Sequence, residues 1–186
     1  MSLRQLPNLI CVARMALVVP VAWLLARGEY TQTLWLFAIA AASDGLDGFL
    51  AKRFGWTSEL GKVLDPLADK LLLVTAFIVL AVIGATPIWL TVLVVTRDVV
   101  IGVGALTFKW LFGPLNGQPT TISKINTGVQ LLYVLAVIAH LGPGWPPEWG
   151  VTTLGAAVFV TTMISGIDYV ITYSRRAAAV AQTRRA

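Results

Sequence analysis

Six long apolar segments, separated by short polar or Gly/Pro-rich stretches, make up most of the chain. Each segment has about the 20 residues that an α-helix needs to cross a bilayer. The pattern therefore predicts an all-α, polytopic membrane protein with six transmembrane helices. We place these helices at residues 9–26, 33–53, 60–83, 88–112, 120–140 and 151–173.

Cap and turn residues indicate where the segments end. Asn8 is expected as the N-cap of the first helix, Gly84 as the stop of the third, and Pro87 as the start of the fourth. The first segment contains Arg14 and is followed by five more spans, so we expect a span and not a cleaved signal peptide. No repeat or linker interrupts the pattern, and we expect one domain over residues 1–186.

Composition agrees with a membrane protein. Hydrophobic residues make up 57% of the chain and charged residues 12%, whereas a soluble domain has about 25% charged residues. This excludes an ordinary soluble domain, a disordered chain and a nucleic-acid-binding protein. Cys11 and His140 are the only cysteine and histidine, which excludes an intrachain disulfide and a multi-histidine metal site.

The basic residues predict the orientation in the membrane. Cytoplasmic loops and ends carry an excess of Lys and Arg. One side of the predicted topology has only Arg27, and the other side has ten basic residues. We therefore expect both termini on the cytoplasmic side, together with Arg4, Lys52, Arg53, Lys62, Lys109, Lys124, Arg175, Arg176, Arg184 and Arg185.

Two pairs of aspartates lie near that cytoplasmic side. Asp44 and Asp47 are three residues apart in the second segment, and Asp65 and Asp69 are four apart in the third, so each pair lies on one helix face. Four carboxylates this close require protons or cations, and ligands that are all oxygen favour Mg²⁺, Mn²⁺ or Ca²⁺. The small residues interleaved with them indicate a ligand pocket, with tight helix packing as the alternative: Gly45, Gly48, Ala51 and Gly61.

Residues 44–52 and 61–69 resemble the signature of the CDP-alcohol phosphotransferase family. That signature reads D-x-x-D-G-x-x-A-R-x8-G-x-x-x-D-x-x-x-D, and seven of its eight fixed positions match here. The eighth is Lys52, which stands where the family has arginine. Lysine keeps the positive charge but loses the two-pronged contact that arginine makes with phosphate.

The resemblance implies the CDP-alcohol phosphotransferase fold, with six transmembrane helices and a polar cavity that faces the cytoplasm. It implies two divalent ions, Mg²⁺ or Mn²⁺, held by Asp44, Asp47, Asp65 and Asp69, with Asp69 also the catalytic base. It also implies CDP-diacylglycerol as the donor substrate and assembly as a homodimer. The residues that it places against the CDP-lipid are Asn8, Asp44, Gly48, Ala51, Lys52 and Ser58.

A second set of charges bears on the acceptor alcohol. Arg97 and Asp98 lie in the middle of the fourth segment and Lys124 at the start of the fifth. Either Arg97 and Asp98 form contacts that join helices, or Arg97 and Lys124 form a basic pocket for an acceptor phosphate that Arg14 could join. Residues 96–99 and 120–130 resemble the CMP-forming cardiolipin synthases, which implies phosphatidylglycerol as acceptor. The alternative acceptor is glycerol 3-phosphate, as in phosphatidylglycerophosphate synthases.

Two other classes of membrane protein also cluster aspartates. A prenyltransferase of the aspartate-rich type binds a diphosphate, but it typically has more spans and lacks this spacing. A cation transporter would have acidic residues along the depth of the membrane. Here only Asp98 and Asp168 lie elsewhere in the spans. The sequence therefore favours the phosphotransferase.

Overall fold

The computed structural model describes residues 6–54, 61–112 and 120–183. Side chains are described over 13–43, 70–105 and 120–172, together with Thr107, Trp110 and Ser174. Within these ranges the regular structure is entirely helical, which confirms the predicted fold class. The six helices are α1 (Leu6–Ala26), α2 (Tyr30–Phe54), α3 (Gly61–Val82), α4 (Ile88–Phe112), α5 (Thr121–Leu141) and α6 (Glu148–Thr183).

The helix ends differ from the predicted ones at several positions. α1 begins at Leu6, so Asn8 lies in its first turn, and the N-cap prediction for Asn8 is wrong. Proline is tolerated in the first turn because its missing N–H would have no helical partner there, which allows the helix to include Pro7. α6 begins three residues earlier than predicted, because the Pro147 carbonyl accepts from the Val151 N–H at 3.3 Å.

Contacts between helices form a closed ring in the order α1, α2, α5, α6, α4, α3. Further contacts between α2 and α3, and between α3 and α5, cross this ring. α4 and α6 run in the same direction, since Arg97 bonds Ser165 and Ile101 bonds Tyr169, both with an offset of 68 residues. Neighbours in the ring are therefore often distant in the sequence.

The apolar core lies inside the ring and mainly toward one end of the helices. It includes the C-terminal half of α1 and the N-terminal half of α2, with Leu25 and Phe37 fully buried. Phe77 on α3 stacks on Tyr133 of α5 with ring centroids 5.8 Å apart. α2 ends and α3 begins at the opposite end, which we call the motif end because it carries the four aspartates. The core reaches to about one helical turn from them, at Ala40 and Leu72. The buried polar side chains include Arg14 on α1, Arg97 on α4 and Ser165 on α6.

Among the residues that the structure describes, three helices have the length and apolarity to cross a membrane, over Ile88–Ala105, Thr121–Leu141 and Glu148–Thr172. In the described part of α1 and α3 the apolar stretches are shorter, Ala13–Ala26 and Lys70–Val82. Large hydrophobic side chains are exposed around the ring, among them Trp35 and Val82, as expected of a surface in contact with lipid. The chain is a membrane protein, and crossing by α1, α2 and α3 stays a prediction.

Candidate active site

The four aspartates lie on α2 and α3 near the motif end. Asp44 and Asp47 belong to the second half of α2, and Asp65 and Asp69 to the first half of α3. The six residues between these helices span at most about 20 Å, so both pairs lie near the same end of the bundle. The side chains of the four aspartates lie outside the described residues.

A cavity of about 220 Å³ lies beside the aspartate positions, between α1, α2, α3 and α5. Ala41 on its wall is three residues before Asp44, and Leu72 is three residues after Asp69, so the cavity is about one helical turn from the motif. Arg14 also lines the cavity and is only 2% exposed. The structure thus places Arg14 near the motif.

Arg97 is the centre of a polar network inside the ring. Its Nη1 donates to Asp98 Oδ1 at 2.7 Å. Its Nη2 donates to Ser123 Oγ on α5 at 2.9 Å and also to Ser165 Oγ on α6. A buried guanidinium, here 6% exposed, must have such partners to offset its desolvation. Arg97 therefore joins three helices: α4, α5 and α6.

The network extends to the motif helix α3. Lys70 Nζ forms an ion pair with the same Asp98 Oδ1 that Arg97 binds. Lys70 directly follows Asp69 in the chain. Asp98 thus links the candidate acceptor arginine on α4 to the residue next to the candidate base on α3.

For most of the other predicted site residues, the structure describes the helix but not the side chain. Lys124 is exposed on the first turn of α5, next to the Ser123 that Arg97 binds. Thr120 caps this helix, since its side chain accepts from the Ser123 N–H at 3.3 Å. Ser58 lies outside the described residues. The predicted CDP-lipid contacts on α1 and α2 are in helices, but their side chains are not among those described: Asn8, Asp44, Gly48, Ala51 and Lys52.

Sequence reasoning missed three members of the Arg97 network: Lys70, Ser123 and Ser165. Ser165 carries little signal, because hydroxyl side chains are common in membrane helices. Lys70 carries a clearer signal in the sequence. It is a cation inside a predicted span, and such residues usually pair with another charge. The structure bears out the helix-joining interpretation, since Arg97 and Asp98 bind each other and Arg97 also binds α5 and α6. The basic pocket of Arg97 and Lys124 stays a prediction.

A family model described as CDP-alcohol phosphatidyltransferase matches residues 4–172. This range covers nearly the whole chain, including both aspartate pairs and the Arg97 network. The chain belongs to the CDP-alcohol phosphatidyltransferase family. Members of this family generally use a divalent metal. Among the described side chains no group of three His, Cys, Asp or Glu could hold a metal, and the motif aspartates are not among those side chains.

Relatives of this chain include proteins with two kinds of name. A rice protein named CDP-diacylglycerol–glycerol-3-phosphate 3-phosphatidyltransferase 1, chloroplastic, is 34% identical over 91% of this chain and 57% of its own length. The rat cardiolipin synthase (CMP-forming) is 33% identical over 72% of this chain and 50% of its own length. The chain thus spans about half the length of these two relatives. A Bacillus subtilis CDP-diacylglycerol–glycerol-3-phosphate 3-phosphatidyltransferase is 30% identical over 89% of this chain and 93% of its own length.

Proposed function

We propose that this chain transfers the phosphatidyl group of CDP-diacylglycerol to a hydroxyl of phosphatidylglycerol, forming cardiolipin and releasing CMP. The observation that carries the proposal is the chain of contacts from Arg97 through Asp98 to Lys70. It connects a buried cation on α4 to the helix that carries Asp65 and Asp69. A basic group for an acceptor phosphate and the carboxylates of the family signature are thereby joined in one framework.

The donor set of the motif suits hard divalent cations. Four carboxylates on two helices, in pairs that each share a helix face, offer only oxygen ligands, which Mg²⁺ and Mn²⁺ prefer. In the proposal Asp44, Asp47, Asp65 and Asp69 hold two such ions. When bound, the ions neutralise the diphosphate and stabilise the departing CMP.

Asp69 acts as the general base of the proposed reaction. It accepts the proton of the acceptor hydroxyl while the hydroxyl oxygen forms a bond to the phosphorus nearest the diacylglycerol. The bond from that phosphorus to the oxygen of CMP breaks, and CMP leaves with the electron pair. The donor is held by Asn8, Asp44, Gly48, Ala51, Lys52 and Ser58.

Arg97 and Lys124 bind the acceptor phosphate in this proposal. Arginine and lysine are the usual partners of phosphate oxygens. Arg97 is held rigidly by Asp98, Ser123 and Ser165, so it needs little ordering when it binds. Both chain termini and the site lie on the cytoplasmic side, where the basic residues are concentrated.

Glycerol 3-phosphate is the second candidate acceptor. The Bacillus subtilis relative, of which the chain spans 93%, is named for that acceptor. Both candidates carry a glycerol hydroxyl and a phosphate, so a basic pocket would accept either. The two candidates differ in their apolar part, since phosphatidylglycerol carries acyl chains and glycerol 3-phosphate does not.

An acceptor panel tests the proposal. Purified protein in detergent, with Mn²⁺ or Mg²⁺ and labelled CDP-diacylglycerol, is offered phosphatidylglycerol, glycerol 3-phosphate, inositol phosphate and serine in separate reactions. We expect cardiolipin and CMP with phosphatidylglycerol. A lipid product with glycerol 3-phosphate alone would contradict the acceptor assignment, and no CMP release with any acceptor would contradict the reaction itself.

A further inference from the structure

A groove of about 370 Å³ runs along the outside of the ring between α4 and α6. It extends from the level of Leu93 and Thr162 to the level of Ile101 and Ile171. Eight residues of helix separate these levels on α4, so the groove is about 12 Å long. On α4 it lies in the first half of the helix and ends near its middle, and on α6 it lies around the middle of the helix.

The groove is open to the bilayer and is almost entirely apolar. Val100 on α4 and Ile167 and Val170 on α6 line it and are each about half exposed. Both helices are long and apolar enough to cross the membrane in this region. A molecule that fills the groove therefore enters from the lipid phase and presents a hydrocarbon surface.

Arg97 lies at the boundary between the groove and the inside of the ring. Its side chain lines the groove beside Gly166, where a Cβ would lie 3.9 Å from Arg97 Cγ. Its guanidinium reaches inward to Ser123 on α5 and to Ser165. A molecule with an apolar part in the groove would thus have its polar part next to the Arg97 network.

The Arg97 network carries more positive than negative charge. Arg97 and Lys70 are two cations that share the single carboxylate of Asp98, which gives a formal charge of +1. The buried Nε of Arg97 has no hydrogen-bond acceptor among the described residues. Excess positive charge within a membrane is costly. Such a site favours an anionic ligand.

We propose that the α4–α6 groove holds an acyl chain of a phosphatidylglycerol acceptor whose phosphodiester lies toward Arg97. This inference rests on the proposed function and deepens it, because it gives the acceptor a binding site for its hydrocarbon part. The chain lies in the groove, and the glycerol headgroup passes between α4 and α6 to the inside of the ring. Glycerol 3-phosphate has no apolar part that would gain from the groove, so the groove selects for a lipid acceptor.

The test compares a groove-filling substitution with a matched one outside the groove. Ile167→Trp fills the groove, whereas Ile164→Trp adds the same bulk on the same helix, at a position that does not line it and is similarly exposed (49% against 55%). Cardiolipin formation is measured with the full chain in detergent, using dioleoyl and dihexanoyl phosphatidylglycerol. We expect Ile167→Trp to raise the KM for the dioleoyl acceptor about tenfold, the effect of expelling roughly two methylenes.

The short-chain acceptor and the control variant keep the inference falsifiable. Ile167→Trp should raise the KM for dihexanoyl phosphatidylglycerol less than the KM for the dioleoyl acceptor and leave the KM for CDP-diacylglycerol unchanged, and Ile164→Trp should leave all three unchanged. Equal effects of the two variants on the dioleoyl acceptor would overturn the inference. If the wild-type chain makes no cardiolipin from either acceptor, the proposed function has failed instead.

A second measurement does not depend on a folded variant. Phosphatidylglycerol with a photoreactive group near the carbonyl end of one acyl chain is cross-linked to the wild-type protein, and the labelled peptides are mapped. We expect labelling on α4 and α6 around Val100 and Ile167. Labelling confined to other helices would overturn the inference, as would cross-links at Ile167 between two copies of the chain, because the groove would then be a contact between protomers.

Discussion

The carboxylate of Asp98 on α4 pairs with Lys70 on α3, the residue that follows Asp69. The same oxygen accepts from Arg97 at 2.7 Å. Asp98 therefore compensates two cations on two helices, and its side chain is 8% exposed. Such a carboxylate matters more for stability than either cation alone, because both lose their partner when it is neutralised.

We expect Asp98→Asn to destabilise the folded protein by about 3 kcal/mol, since removing one partner of a buried ion pair leaves an uncompensated charge. Lys70→Met should cost less than about 1 kcal/mol, because the Lys70 side chain is 37% exposed. The free energy of unfolding in a denaturing-detergent titration measures both. Asp98→Glu, which keeps the charge, is the control. Equal stabilities of Asp98→Asn and the wild-type protein would contradict the role of Asp98.

Arg97→Lys should weaken acceptor binding more than donor binding. Nη2 of Arg97 reaches both Ser123 and Ser165, and the single ammonium of lysine cannot also bind Asp98 in this way. We expect the KM for the acceptor to rise about tenfold, the loss of one charge-assisted contact. Initial rates at varied acceptor and varied donor separate the two constants. A rise in the KM for the donor alone would contradict the role of Arg97 in acceptor binding.

Gly104→Ala and Gly102→Ala should change stability in opposite directions. A Cβ on Gly104 would lie 2.7 Å from the Tyr169 hydroxyl oxygen, whereas a Cβ on Gly102 would meet nothing within 4 Å among the described residues. The first substitution displaces the Tyr169 hydroxyl from the Ile101 carbonyl, to which it donates at 2.9 Å. We expect a loss of about 1 kcal/mol at position 104 and a gain of a few tenths to about 1 kcal/mol at position 102. Unfolding titrations of both variants should give opposite signs, and the same sign would contradict the packing of Tyr169.

Thr162→Val should weaken the association of α5 with α6. The Thr162 hydroxyl donates to Asn126 Oδ1 on α5 at 3.0 Å, and Thr161 donates to the same oxygen at 2.9 Å. Hydrogen bonds between membrane helices contribute about 0.6 kcal/mol on average and up to about 1.7 kcal/mol, and we expect a loss in this range. Thr153→Val is the control, because the exposed Thr153 hydroxyl donates to Trp149 O of its own helix. If both variants unfold at the same detergent concentration, the hydrogen bond from Thr162 to Asn126 makes no net contribution to the free energy of unfolding.

The six helices could be predicted because each is a long apolar run with polar residues or Gly and Pro at its ends. The exact ends could not, because they depend on single backbone contacts. α2, for example, begins at Tyr30 and not at the predicted residue 33, since the Glu29 carbonyl accepts from the Thr33 N–H at 3.0 Å. Hydropathy alone does not distinguish these first turns from the preceding loop.

The aspartate motif could be recognised because its members are close in the sequence and fixed in spacing. The Arg97 network could not, because its partners come from three other helices. Ser165 is 68 residues from Arg97, and their contact follows from the adjacency of α4 and α6. The order of helices around the ring is a property of packing and not of the local pattern.

The rate of CMP release by Asp69→Asn tests the central claim most directly. Labelled CDP-diacylglycerol and saturating phosphatidylglycerol are incubated with the wild-type protein, with Asp69→Asn, and with Glu148→Gln, whose exposed carboxylate lies at the opposite end of the bundle. A general base contributes about 10²–10⁴ to the rate. We therefore expect Asp69→Asn to lower CMP release by at least about a hundredfold with the amount of folded protein unchanged, and Glu148→Gln to retain the wild-type rate. Wild-type CMP release by folded Asp69→Asn would contradict the account.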